Sequence, residues 1–476
     1  MSKKTCPAAK PHRHLLSNNT IKTIFFVFYF LIIYSFNLIS PQNVFSANHK
    51  IVGYYMSWTR TTYSHLKVDY SNVTHLMHAF IWPNADGSLQ IPSSIPHPEL
   101  IQKAHQSGVK VLISLGGWGQ CAGFAPMTAN AATRRQFITN IVNFCRTQHY
   151  DGIDLDWEFP ETTVERGNLT RLVQELRPAM DAVDPAWLLT MAISTGSEST
   201  KQDDLLALNA YLDWFGCMTY NFHGTWSNHA GHNAPLFAPA NENDGSVDQS
   251  IRFLTNLGIP PEKILLGIPF YGKEFNATDI YKPSTGGDEF NFNKIFPRIG
   301  NGWSYFWDNV AQVPYLRNTN HTKVITFDDT VSVKLKAAYA ANKKLDGIMI
   351  WALGSDEMNN KQPLLSAIGR YFKSISDCPE MPNANNIAIK QHILKPNYPN
   401  PFNATTNIEY FVASPCQIRL EVINLLGETV VLLVNKQQNR GWYQITFDAG
   451  NLNSGIYYYR LSAPDFRQAG RMMVLR

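Results

Sequence analysis

Eight short apolar runs recur between residues 50 and 353, separated by longer amphipathic stretches. They are KIVGYYMSW (50–58), VTHLMHAFIW (73–82), KVLISLGG (110–117), GIDLDWE (152–158), LLTMAISTG (188–196), WFGCMTYNF (214–222), KILLGIPFYG (263–272) and LDGIMIWAL (345–353). Each is rich in Ile, Val, Leu or aromatic residues. Near-continuous apolar character is expected where a sheet is covered on both faces, as parallel sheets are. The stretches between the runs have helical period. Phe137, Ile141, Phe144 and Cys145 recur at three and four residues within 133–149, and Leu169, Leu172, Val173, Leu176 and Met180 do so within 165–184. Strand–helix alternation repeated eight times predicts a closed (β/α)8 barrel. A doubly wound open sheet is the alternative, but no G-x-G-x-x-G follows a strand run.

The seventh interval is too long for one helix. Residues 274–326 carry NATD, PSTGG and YFWDN with several Tyr, Phe and Pro, which predicts a small α+β insertion. Inserts on the C-terminal face of a barrel typically wall its site. Residues 374–392 are polar without periodicity and read as a linker. In 393–476, CQIRLEVINLLGETVVLLV, WYQITFDAG and SGIYYYRLSA form short strands between turns, which predicts an all-β sandwich. At the other end, IFFVFYFLII (24–33) follows Lys3, Lys4, Lys10, Arg13 and Lys22 and precedes a small-residue exit at Ser46-Ala47. That is the layout of a cleavable secretory signal. A retained anchor is the alternative, because 21–39 nearly reaches the ~20 residues of a membrane span. The expected division is a signal or anchor (1–47), the barrel (48–373), the linker (374–392) and the sandwich (393–476).

Lys and Arg total 41 and Asp and Glu 37, so the net charge is 41 − 37 = +4, with no long basic run. Nothing in this balance points to nucleic acid as the main partner. Charged residues are 16% and aromatics 12%, a balance that disfavours a disordered or coiled-coil chain. It suits a protein that buries much surface or stacks rings on a ligand, sugars being one candidate. Beyond Cys6 in the leader, Cys121, Cys145, Cys217, Cys378 and Cys416 are odd in number and without C-x-x-C spacing, which speaks against a zinc site. Buried free thiols and a disulfide both remain open.

The fourth run holds the densest chemistry. On a strand, Asp154, Asp156 and Glu158 share one face, each about 6–7 Å from the next. Three carboxylates in a confined site cannot all ionise cheaply, so a pKa must rise or a cation must sit there. Glu158 falls at the C-terminal mouth, where barrel chemistry takes place. A hard-cation site is the competing reading, but no other strand end supplies a carboxylate cluster.

Asp151-x-x-Asp154-x-Asp156-x-Glu158, with Trp157 before the glutamate, resembles the signature of glycoside hydrolase family 18, the chitinases. Ser114-Leu115-Gly116-Gly117-Trp118 resembles the family's third-strand element and Met218-Thr219-Tyr220-Asn221 its sixth. GIPFYG (267–272) and IMIWAL (348–353) resemble its seventh and eighth strands. The likeness covers about residues 49–372, and the insertion resembles that of the family's deep-cleft members. It implies a retaining chitinase that cleaves β-1,4 bonds between N-acetylglucosamine units with the substrate's acetamido group as nucleophile. No metal or cofactor is implied. By position, Glu158 would serve as general acid and base and Asp156 would hold the acetamido N–H. Asp154 would share a proton with Asp156, and Tyr220 would donate to the acetamido carbonyl. Trp351 would floor the pocket, lined by Tyr54, Phe80, Gly117 and Tyr271, while Trp118 and Trp226 would offer rings to further sugars. Asn221, a further expected substrate contact, stands where the family usually has Asp, and Lys273 where Arg is common. Asp151, of opposite parity, reads as structural, capping the helix-to-strand turn. Two other readings on the same barrel are an endo-β-N-acetylglucosaminidase acting on N-glycans and a chitin-binding lectin, though lectins usually lack the glutamate.

At the C-terminus, NYPNPFN (397–403), the LLGE turn, SGIYYYRL and GRMMVLR resemble the sorting domains of type IX secretion. They imply passage through the outer-membrane secretion machinery to the outside or the cell surface. A carbohydrate-binding module is the alternative, with Trp442 and Tyr457 to Tyr459 as its exposed aromatics.

Overall fold

The structure, a computed structural model, describes residues 49–194, 202–239 and 245–376 and, with short gaps, 392–475. The expected signal or anchor, most of the linker, Cys6 and Cys378 lie outside the described residues. Among the described residues no helix is long and apolar enough to cross a membrane. The chain divides into two compact units at about residue 381.

Each apolar run supplies one strand of a barrel. The strands are β1 (Lys50–Met56), β2 (His75–Pro83), β3 (Lys110–Gly116), β4 (Gly152–Asp156), β5 (Leu188–Ser194), β6 (Trp214–Met218), β7 (Ile264–Pro269) and β8 (Gly347–Trp351). Neighbours pair in parallel throughout, and β1 joins both β2 and β8, which closes the ring. Two apolar cores explain why the runs do not alternate. Ile51, Tyr55, Leu76, Ile113, Leu155, Ile348 and Ile350 face the helices. Val52, Tyr54, Met77, Leu112, Trp214, Leu265 and Met349 fill the barrel. Both strand faces are therefore buried, and period two survives only as the choice of core.

Helices Ala131–Gln148 and Thr163–Asp181 cover the β3–β5 side. The second buries the five expected positions, Leu169, Leu172, Val173, Leu176 and Met180, and starts at a capping box of Thr162 and Glu165. In the first, Phe137, Ile141 and Cys145 are buried with Ile138 and Val142, while Phe144 is only partly covered. The helical stripe is thus rotated by a fraction of a turn from the expected one.

The N-terminal rim of the barrel is tied by side chains that precede one strand and cap its neighbour. Thr74 Oγ1 accepts the Ile51 amide at 2.9 Å, Asp151 Oδ2 the Val111 amide at 2.6 Å and Asp213 Oδ2 the Leu189 amide at 2.7 Å. Asp151 is therefore structural, but it caps β3 and bonds His105 rather than its own turn. These bonds satisfy strand-start amides that the ladder leaves open.

Between β7 and β8 the chain builds a separate antiparallel sheet from Tyr271–Phe275, Gly287–Asn291, Trp303–Asp308, Val313–Asn318 and Val324–Thr326. The return to the barrel passes through Asp328, whose carboxylate takes two hydrogen bonds, 2.7 and 2.6 Å, from Lys336 on helix Ser332–Asn342. Both side chains are enclosed. Burial pushes the Lys336 pKa down and that of Asp328 up, and each partner opposes the other's shift.

The second unit is a β-sandwich. Thr405–Val412 and Gly441–Asp448 pair in one sheet with Ile393–Leu394, and Cys416–Ile423, Thr429–Gln438, Gly455–Ala463 and Phe466–Val474 form the other. Ile408, Tyr410, Leu420, Val422, Phe447 and Leu461 share its core. Tyr459, expected among the exposed aromatics, is buried, and its hydroxyl accepts the Asn397 amide at 3.0 Å. The described cysteines, Cys121, Cys145, Cys217 and Cys416, are free thiols.

Lys336→Met should destabilise the protein by about 3–5 kcal/mol, because it strands an uncompensated buried carboxylate. Adding Asp328→Leu should restore most of that loss in chemical denaturation. A single variant as stable as wild type would contradict the role given to the pair.

Candidate active site

The interior parity of β4 places Asp154 and Asp156 inside the barrel, between Ile153 and Leu155, which face the helices. Only 1% of Asp154 and 4% of Asp156 is exposed. The strand ends at Asp156, so Glu158 stands on the turn just beyond it, half-buried at the mouth.

Parallel register then supplies the partners of Asp154. Ser114 on β3 and Thr190 on β5 are its direct neighbours across the ladder. Oδ2 accepts the Ser114 hydroxyl at 2.7 Å and the Tyr54 hydroxyl, from β1, at 2.8 Å. Oδ1 accepts Thr190 Oγ1 at 2.7 Å. Tyr54, expected to line the pocket, thus also has a polar task. Asp156 lies opposite Gly116, which has no side chain to offer, and among the described residues its Oδ1 has no hydrogen-bond partner.

The electrostatics follow from that asymmetry. Burial raises the pKa of Asp154, and the three hydroxyls oppose the rise. Burial pushes Asp156 well above the usual carboxylate range, and the charges of Glu158 and Asp154 push it further. Glu158 is pushed up to about 7 by burial, against a hydrogen bond from the Trp118 amide. Full ionisation of the row is therefore disfavoured, and Asp156 is the member pushed up by both burial and its two neighbouring carboxyls.

The aromatic expectations come together at the same mouth. Phe80 stacks on Trp351 with ring centroids 5.7 Å apart, and Tyr54 meets the Trp351 edge at 5.3 Å. Gly117, with φ +82°, passes beneath Phe80, and a Cβ there would lie 2.4 Å from the ring. Tyr220 is edge-on to Tyr271 at 6.1 Å, and its hydroxyl pKa is raised well above normal, first by burial and then by Tyr271 and the three carboxyls. Tyr271 is buried and donates its hydroxyl to Asn221 Oδ1 at 2.8 Å. Asn221 is exposed and adopts a left-handed backbone, φ 60°, which Asn tolerates well. Trp118 and Trp226 are 78% and 65% exposed. Lys273 is buried, pairs with Glu289 and lies 5.2 Å from the rings of both Trp226 and Tyr271.

Sequence reasoning missed two neighbours of the carboxyl row and one of the aromatic floor. Thr190 lay within an apolar run, and only pairing the parallel strands would have placed it beside Asp154. Cys121 was read as one thiol among several, yet its sulfur accepts the Glu158 amide at 3.2 Å. Trp58, 55% exposed, lies 6.1 Å from Phe80 and extends the aromatic surface.

A closed parallel barrel with a buried carboxyl row and an aromatic floor at its C-terminal mouth is the layout of a barrel glycoside hydrolase. Residues 50–356 match the model of the family described as Glycosyl hydrolases family 18, and the chain belongs to that family. Residues 397–474 match the secretion system C-terminal sorting domain, which directs the protein to the cell surface or the outside by type IX secretion. Among curated relatives, "Chitinase A1" of Niallia circulans is 29% identical over 67% of this chain and 58% of its own length. "Probable chitinase 2" of Drosophila melanogaster is 33% identical over 58% of this chain and 62% of its own. The chain thus spans about three fifths of these relatives. Among solved structures, an Ostrinia furnacalis Group IV chitinase in complex with allosamidin superposes with a TM-score of 0.63 at 28% identity, covering 69% of this chain and 99% of that one.

Gly117→Ala should cost about 2 kcal/mol or more in stability, combining a left-handed backbone with overpacking against Phe80. Near-UV circular dichroism should report a disturbed Phe80–Trp351 stack. An unchanged spectrum and melting curve would show that the close approach is not needed.

Proposed function

We propose that the protein is a secreted chitinase that hydrolyses β-1,4 linkages between N-acetylglucosamine units by substrate-assisted, retaining catalysis. The observation that carries this reading is Glu158, a carboxyl raised to about 7 at the mouth of an aromatic-floored barrel beside two enclosed aspartates. A group poised there can give up a proton and take it back near neutrality. The chitinase names of the relatives and of the superposed structure support the substrate class.

In this reading Trp351 floors the reacting sugar, with Tyr54, Phe80, Gly117 and Tyr271 around it. Glu158 protonates the leaving glycosidic oxygen as its bond to the anomeric carbon breaks. The substrate's acetamido oxygen forms the new bond to that carbon, giving an oxazolinium ion. Asp156 accepts the acetamido N–H, the single negative charge of the Asp154–Asp156 pair balances the positive charge, and Tyr220 donates to the acetamido carbonyl. Water then attacks the anomeric carbon as its bond to the acetamido oxygen breaks and restores the acetamido group, Glu158 takes the water's proton, and the starting protonation state returns. Substrate assistance removes the need for a second carboxylate within the ~5–5.5 Å of ordinary retaining pairs. Asn221, Trp118 and Trp226 contact neighbouring sugars. The division of labour is a barrel (48–373) with its insertion (about 274–326), a linker (374–392), a sorting sandwich (393–476) that engages the outer-membrane machinery and a leader (1–47).

Product analysis on chitin oligomers and on an N-glycan, with Glu158→Gln in parallel, tests the reading. Wild type should shorten the oligomers, and Glu158→Gln should lose at least about 100-fold in kcat. Undiminished hydrolysis by the variant would remove Glu158 from the chemistry, and action on the N-glycan alone would replace chitin as the substrate. The kcat/KM profile of wild type should fall on the alkaline side near pH 7, where Glu158 loses its proton. Asn221→Asp adds a negative charge near the mouth, which disfavours ionised Glu158 and should move that limb upward. A limb that stays in place would show that residue 221 does not reach Glu158 electrostatically.

A further inference from the structure

We propose that Thr190 is a positioning residue of this site, holding Asp154 ionised and so keeping on Asp156 the proton that the two aspartates share. The proposal rests on the substrate-assisted reading above and deepens it.

Thr190 lies on β5 between Leu189 and Met191, which face the helices, so its own side chain points into the barrel. It is fully buried and is the in-register neighbour of Asp154. The hydroxyls around Asp154 are divided unequally. Among the described residues, Tyr54 and Ser114 both donate to Oδ2, and Thr190 alone donates to Oδ1. A carboxylate that receives donors on both oxygens acts as acceptor only, which is the behaviour of the ionised form. Without Thr190, Oδ1 becomes a free oxygen on which Asp154 can carry a proton. Asp156 has the reverse setting, with Gly116 as its ladder neighbour and an unpartnered Oδ1. The pair is therefore built unequal by strand register, and Thr190 is the contact that seals the second oxygen of the ionised member.

The titratable groups facing Asp154 are Tyr54 from β1, Tyr220 from the end of β6, and Asp156 and Glu158 along its own segment. Both tyrosines are held neutral far above working pH, so the carboxyls alone set the acidic limb. The limb reports the pH at which the aspartate pair takes up its second proton. A hydrogen bond to the charged form holds that uptake at low pH.

The experiment is a kcat/KM profile against pH for the full chain on a chromogenic chito-oligosaccharide, comparing wild type, Thr190→Val, Thr190→Ser and Glu158→Gln. Thr190→Val should move the acidic limb upward by about one pH unit, and Thr190→Ser should return it to the wild-type position. A merely structural role would lower activity at every pH and leave the limb in place. Thr190→Ala gives the same readout should the valine variant not fold. An unmoved limb in a folded Thr190 variant, with Glu158→Gln inactive, overturns the role of Thr190 and leaves the reaction standing. Undiminished activity in Glu158→Gln overturns the underlying reading itself.

Discussion

Asp154 sits almost without solvent inside the barrel and accepts hydroxyl hydrogen bonds from three other strands. An unpaired charge so placed costs several kcal/mol unless it is hydrogen-bonded or keeps its proton. That constraint orders the rest of the site. It requires hydroxyl residues at fixed positions on β1, β3 and β5. It concentrates the unmet need on Asp156, next to the glycine of β3, and so makes Asp156 the group that resists ionisation. The rise of Glu158 to about 7 then follows from its own burial at the mouth.

The aromatic floor obeys a second geometric condition. Phe80 and Trp351 stack only because Gly117 lets the third strand pass beneath the Phe80 ring. The same glycine-rich turn carries Trp118, whose amide hydrogen-bonds Glu158. One short sequence element thus shapes the floor and touches the acid. The strand Tyr271–Phe275, which opens the antiparallel sheet between β7 and β8, adds Tyr271 and Lys273, and these reach back to Asn221 and Trp226 beyond β6. The buried Asp328–Lys336 pair ties the end of that insertion to the helix layer.

Much of the barrel was legible from the chain. Apolar runs of seven to ten residues with helical stripes between them left few architectures to choose from, and each run contributed a strand. The acidic row was legible because period two fixes which carboxyls share a face. The departures have local causes. Phe144 yielded its place to Ile138 and Val142 because a 3.6-residue stripe fixes a helix face only to within a residue or so. Tyr459 reads as one of three adjacent tyrosines, and alternation turns one of them into the sandwich core. Asp151 caps a neighbouring strand, a contact that sequence distance hides.

The sequence by itself determined the parity of each strand, the order of its elements and the presence of Asp154, Asp156 and Glu158 on one segment, because these depend on backbone periods that are local. Tertiary structure alone decided which aspartate receives donors and which goes without. That outcome depends on register between strands up to a hundred residues apart, which sets Ser114, Thr190 and Tyr54 around one carboxylate and a bare glycine beside the other.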